Sequence, residues 1–188
     1  MHEIVATAFW KRLDTEGHDA CRLMRDDDGW RLEGAALFSH EGKACILDYA
    51  VDCDDRWRTV SAKVNGSVGL DRLDFDVARA GDDWLLNGAI QPKARSQTDL
   101  DLGFTPATNL IAIRRLDPRP GVETTAPAAY YLEFTLELGL VEQTYRRTGE
   151  RTLAYASPAY DDAAELQVSQ VGFVTEYPGL WSGQVTTA

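Results

Sequence analysis

Asp99 and Asp101, two carboxylates two residues apart, are followed by a pair of guanidinium groups at Arg114 and Arg115. Their types and spacing could do acid–base chemistry. In an extended segment the two carboxylates leave the same face about 6.6 to 7 Å apart. That separation suits the acid and base of inverting glycoside hydrolysis, which leave room for a water between them. The same residues also have a structural use. A helix following them carries Arg114 to the side of Ala107, Leu110 and Ile111, where a guanidinium needs an anionic partner, because an unpaired buried charge is very costly. Pairing of Asp99 and Asp101 with Arg114 and Arg115 is therefore the preferred reading. Asp99→Asn and Asp101→Asn are expected to lower stability more than any activity.

The segment that positions these groups, Gln97 to Leu116, changes its hydrophobic period halfway. Leu100, Leu102 and Phe104 alternate with Asp99, Asp101 and Gly103, the pattern of a half-buried strand. Thr105 then offers a hydroxyl to cap a helix, and Pro106 suits the first helical position, where its missing N–H costs nothing. Ala107, Leu110, Ile111, Ala112, Ile113 and Leu116 make the following helix apolar around most of its circumference. Such a helix has to be surrounded.

The rest of the chain reads as strands. Trp30, Leu32, Ala36 and Phe38 share one face, and Cys45, Leu47, Tyr49 and Val51 repeat the pattern. Val60, Ala62 and Val64 follow, then Leu73, Phe75 and Val77, then Trp84, Leu86 and Ile90. Tyr130, Leu132, Phe134, Leu136 and Leu138 give the cleanest alternation, and Tyr145, Tyr155, Leu166, Val168 and Phe173 fall in later strands. Turn signals separate them at Asp26–Gly29, Asn65–Gly66, Ala80–Asp83 and Thr148–Glu150. On the order of a dozen strands at near-regular spacing implies an antiparallel meander that curls. The expected fold is mainly β, a strongly curled sheet or half-barrel around one short helix near 106–116, in a single domain over 1–188. A weak likeness between Asp27–Ala35 and Gly81–Ala89 reflects hairpins reusing one turn and aromatic-strand pattern.

The 19 Lys and Arg stand against 30 Asp and Glu, a net charge of -11, which argues against nucleic acid and against anionic membrane surfaces as partners. No apolar run approaches the roughly 20 residues of a membrane-spanning helix, so an integral membrane protein is not expected. The N-terminal MHEIVATAFWKRLD lacks a signal-peptide pattern and reads as a strand, and Cys21, Cys45 and Cys53 are odd in number. Both point to buried thiols in a reducing cytoplasm. His2, His18 and His40 are far apart, His40 with Cys45 and Cys53 lacks a C-x-x-C pair, and the Asp-rich turns lack EF-hand spacing. No metal, cofactor or catalytic nucleophile is expected.

DLDLGFTPATNLIAIRRL at Asp99 to Leu116 resembles the signature segment of the putative glycolipid-binding family of small bacterial proteins. Further matches lie in Trp30–Gly34, Leu47–Thr59, Glu142–Arg147 and Gly172–Trp181, so the resemblance spans nearly the whole chain. Where that family often has a proline before Ile-Arg-Arg, this chain has Ala112, and the helix is expected to continue one turn further. The resemblance implies a spiral β-roll, a role in binding a lipid or glycolipid, and homodimerisation, with no established active site. Combining it with the residue reading, the expected ligand-binding side chains are Trp10, Tyr49, Trp57, Asp99, Asp101, Asn109, Arg114, Arg115 and Tyr145, the aromatics at the mouth of a concave apolar face. Two alternatives stay open. One is a small hydrolase of sugar-like substrates using Asp99 and Asp101. The other is a homodimeric interaction module formed by strand pairing, with no ligand.

Overall fold

The computed structural model describes residues 3–131, 134–135 and 137–188. Six long strands come first: β1 (Glu3–Arg12), β2 (Gly17–Arg25), β3 (Gly29–His40), β4 (Lys43–Asp54), β5 (Thr59–Val68) and β6 (Asp71–Ala80). Shorter strands follow, β7 (Asp83–Leu86), β8 (Ala89–Ile90) and β9 (Asp99–Asp101), then helix α1 (Asn109–Leu116). The chain returns to strands in β10 (Glu123–Thr125), β11 (Ala128–Tyr131), β12 (Leu138–Val141), β13 (Thr144–Gly149), β14 (Thr152–Ser157), β15 (Asp162–Val168), β16 (Val174–Tyr177) and β17 (Trp181–Thr187). Fourteen of them form one antiparallel sheet in the order β10-β13-β14-β15-β16-β17-β1-β2-β3-β4-β5-β6-β7-β8. The other three form a small sheet, β12-β11-β9, in which β9 runs parallel to β11.

Side-chain alternation explains the long strands. In β4, Cys45, Leu47, Tyr49, Val51 and Cys53 are all buried while the residues between them are not. The buried faces of β1 to β6 and β13 to β17 join the β9–α1 segment in one apolar cluster. Thr105 caps as expected: its Oγ1 accepts the Ala107 N–H at 3.1 Å, and Pro106 opens a 3-10 turn over Pro106–Thr108 that leads into α1. The free part of the β6 edge is covered by Asn87, whose side-chain carbonyl accepts the Asp76 N–H (2.8 Å) and whose amide donates to the Asp74 carbonyl (3.2 Å).

Several sequence expectations are corrected. The half-buried strand over 98–104 is only Asp99–Asp101. It buries Asp99 as well as Leu100, because in the small sheet both its faces are covered. Asn65–Gly66 is not a turn but lies inside β5. Gly66 has φ +149 there, and a Cβ would strike the Ile46 carbonyl of β4, so the glycine serves close strand approach. Val60 faces outward, since a bulge opposite Asp52–Cys53 turns Thr59 to the core in its place. Ile90 is exposed at the sheet edge. The run Tyr130–Leu138 is a hairpin rather than one strand: Tyr131 pairs with Leu138 across antiparallel β11 and β12, and Phe134 between them has φ +55. Leu132 and Leu136 of that run, and His2, lie outside the described residues.

Candidate functional site

Asp99 and Asp101 leave β9 toward different partners. Both Asp99 oxygens accept from Arg115, Nε at 2.6 Å and Nη2 at 2.8 Å. Burial raises the Asp99 pKa, and the Arg115 guanidinium counteracts that rise. Asp101 is held instead by its own turn: Oδ1 accepts the Gly103 N–H at 2.8 Å and the Thr108 hydroxyl at 3.3 Å. Burial raises this carboxyl too. Arg114 is not the buried partner that helical spacing predicts. It is exposed, and its guanidinium lies 5.4 Å from the ring centre of Trp57 and 6.0 Å from that of Trp30. Asn109 to Ile113 are buried on every side of the helix, and that burial ends at Arg114. Arg115 takes the inward place.

The four aromatic side chains proposed for a mouth are packed inside. Trp10 donates Nε1–H to the Val174 carbonyl at 2.6 Å and meets the Phe173 ring edge-on. Trp57 stacks on Trp30 with ring centres 4.5 Å apart. The Tyr49 hydroxyl donates to Asp19 Oδ1 at 2.9 Å and lies 3.1 Å from the Thr105 hydroxyl, so a chain of bonds joins the helix cap to a buried carboxylate on β2. Burial pushes Asp19 up to about 7, against the hydrogen bonds from Thr105 and Tyr49. Tyr145 on β13 accepts from the Asn109 amide at 2.9 Å.

Asp101 and Asn109 also border a cleft of about 200 Å³ that sequence spacing did not disclose. Its wall is built by the buried rings of Tyr155, Tyr177 and Trp181, with half-buried Tyr130 and exposed Tyr160 at the rim, 5.5 Å apart. Asp162 adds a second carboxylate, which accepts a short hydrogen bond from the Tyr177 hydroxyl. Burial, with Tyr155 and Asp162 nearby, holds the Tyr177 phenol far above its ordinary range, so it remains a donor at any physiological pH. Gly103, at φ +60, lets the Tyr130 ring close over the turn: a Cβ there would lie 2.9 Å from the Tyr130 hydroxyl.

Three stretches of chain thus meet at one cleft, 101–109, 155–162 and 177–181, with Tyr130 and Val141 beside them. Aromatic faces beside carboxylate and amide groups, with phenol donors, can stack on a pyranose ring and bond its hydroxyls. Among the described residues no group of three or more His, Cys, Asp or Glu is arranged to hold a metal ion. Larger open troughs, of about 530 and 720 Å³, cross the opposite face of the sheet around Phe9, Ala20 and Ala35. Ion pairs such as Arg22–Glu33 flank them.

The model of a family described as "Putative glycolipid-binding" matches residues 7–183. The crystal structure of a DUF1089 family protein from Pseudomonas aeruginosa superposes with a TM-score of 0.75 at 26% identity, covering 87% of this chain and 91% of that one. No curated protein matches the chain.

Proposed function

The chain belongs to the putative glycolipid-binding family, and from that premise we propose that it is a non-catalytic binder of a glycolipid or related amphiphile. The sugar-bearing end occupies the Tyr155–Tyr177–Trp181 cleft and the acyl chain follows the apolar face toward α1. The observation that carries this reading is the cleft itself, where four tyrosines and a tryptophan converge with Asp101, Asn109 and Asp162.

A concave sheet in a single domain over 1–188 belongs to the same proposal, and its support is geometric. Thr105 touches Tyr49 on β4 at 3.1 Å and Asn109 touches Tyr145 on β13 at 2.9 Å. Those strands are eight intervals apart in the sheet. At about 4.8 Å per interval a flat sheet would separate them by roughly 38 Å. Four residues of chain span at most about 14 Å. That contrast supports a sheet that bends round the segment. Cytoplasmic residence fits the three buried free thiols, Cys21, Cys45 and Cys53. No helix among the described residues is long and apolar enough to cross a membrane.

Titration calorimetry with n-octyl β-D-glucoside below its micelle concentration tests the reading. Saturable binding is expected, weakened about tenfold by Trp181→Ala through lost stacking and by the rim variant Tyr160→Ala, which leaves the core intact. Absence of saturable binding across short-chain mono- and diglycosyl lipids overturns it. One observation favours hydrolysis as a second reading: Asp101 and Asp162 line the same cleft. Turnover of a glycoside panel that Asp101→Asn abolishes, with binding retained, would establish it. A bare homodimer in native mass spectra of protein from its own host, with no co-purifying lipid mass, favours the interaction module.

A further inference from the structure

Beyond the C-terminal end of α1, Arg114, Arg147 and Arg151 line one pocket of about 470 Å³ together with Ser169. Three guanidinium groups gathered in a chain of net charge -11 call for an anion. The acids nearby do not supply it. Asp117 comes only to 3.9 Å from Arg147 Nη2, with its side chain 92% exposed. Glu150 contributes its backbone carbonyl rather than its carboxylate to Arg147. Neither Arg114 nor Arg151 forms an ion pair among the described residues.

The cluster is also preorganised. Arg147 is anchored through Nε–H to the Pro118 carbonyl at 3.0 Å and Nη1–H to the Glu150 carbonyl at 2.9 Å, which leaves Nη2 for a ligand. Arg114 rests its guanidinium over Trp57, an arrangement that uses the face of the cation and leaves its in-plane N–H donors free. Gly172, at φ +101, packs against the stem: a Cβ there would come within 3.1 Å of Arg114 Cδ. Ser169 Oγ is buried without a hydrogen-bond partner. Such a hydroxyl costs free energy unless something fills the pocket.

We propose that this pocket binds a phosphate monoester through Arg114, Arg147, Arg151 and the Ser169 hydroxyl. A carboxylate has two oxygens, which a single guanidinium satisfies. Three guanidiniums and a hydroxyl match a dianion with three free oxygens. The negative end of the α1 dipole lies close by and opposes an anion, so affinity comes from the arginines. This site is separate from the tyrosine cleft and does not depend on sugar binding there.

The test is titration of the purified protein with inorganic phosphate and with glycerol 3-phosphate, followed by amide NMR shifts and calorimetry at low ionic strength. Arg151→Gln is expected to weaken binding about tenfold, the loss of one charge-assisted contact. Ser169→Ala is expected to weaken it with no change in net charge. Arg72→Gln, an exposed arginine on β6 outside the pocket, serves as the charge control and should change it little. Equal losses in Arg72→Gln and Arg151→Gln overturn the proposal, as does unsaturable binding, because either marks bulk screening. If Arg151→Gln fails to fold, Arg151→Lys keeps the charge and removes the planar donor pair, with the same expected direction. Flotation with phosphatidylcholine vesicles, with and without phosphatidic acid, distinguishes the source. Arg151-dependent recruitment to the acidic vesicles assigns the phosphate to a lipid headgroup, and binding of the soluble esters alone assigns it to a free metabolite.

Discussion

Strands β1–β6 and strands β13–β17 lie in the same sheet and each reaches the Thr105–Asn109 segment through one buried tyrosine, Tyr49 or Tyr145, but the rest of their buried faces differ. The first group packs Leu23, Leu32, Leu47, Val51, Val64 and Phe75. The second presents Tyr145, Tyr155 and Tyr177, with Ser157 between them. Alternation buries both sets equally well. The side chains of the first set carry no polar atoms, whereas the phenols of the second carry hydroxyls that need partners and border a cleft beside Asp101. The candidate site therefore lies where the sheet keeps its period but changes its chemistry.

The largest expected effect sits at Asp19, the buried carboxylate of the first group. With its pKa pushed up to about 7, the folded protein keeps a proton that the unfolded chain releases nearer pH 4. Stability therefore falls as pH rises through that window and flattens above it. The integrated loss is roughly 4 kcal/mol. Urea midpoints of Asp19→Asn should lack this slope, and an unchanged slope would mean that Asp19 is hydrated. Next comes Leu47→Ala, expected to cost about 3 kcal/mol in urea unfolding, with glycoside affinity largely kept. Asp99→Asn strips the anion from Arg115, which is partly open to solvent, and should cost about 2 kcal/mol, below the roughly 3 to 5 of a fully buried pair. Asp101→Asn should cost less, because it faces the cleft. Equal losses from these two would erase the distinction drawn between them. Smallest is Tyr177→Phe, expected to move stability by about 1 kcal/mol at most while weakening octyl glucoside. A large stability loss there would make the tyrosine half structural as well.

The helix and its cap were legible because Thr105, Pro106 and the apolar run after them are local signals, and the alternation of β4 was legible for the same reason. Asp99 pairing with an arginine of the Arg114–Arg115 pair followed from charge cost alone. Which arginine turned on where along α1 the burial ends, and no residue type announces that. The bulge that turns Thr59 inward was hidden as well. Its purpose is tertiary: the Thr59 hydroxyl accepts the Leu100 N–H of β9 at 3.1 Å. The cleft was not legible. Tyr155, Asp162, Tyr177 and Trp181 stand far along the chain from Asp101, and each reads singly as an ordinary strand aromatic or turn acid. Only the pairing of β14 through β17 gathers them.

The Asn87 amide, held against β6 from the turn after β7, has a consequence for how the protein behaves when concentrated. A wide sheet with bare backbone along one border is a template on which further molecules stack into fibres. By engaging the Asp76 N–H and the Asp74 carbonyl, Asn87 closes part of that border from within the molecule. The flanking Asp71, Arg72 and Asp74 charges discourage newcomers on the remainder. Asn87→Gly, which tolerates the φ of +48 found there, should leave the melting temperature nearly intact and turn a clear stock turbid on storage.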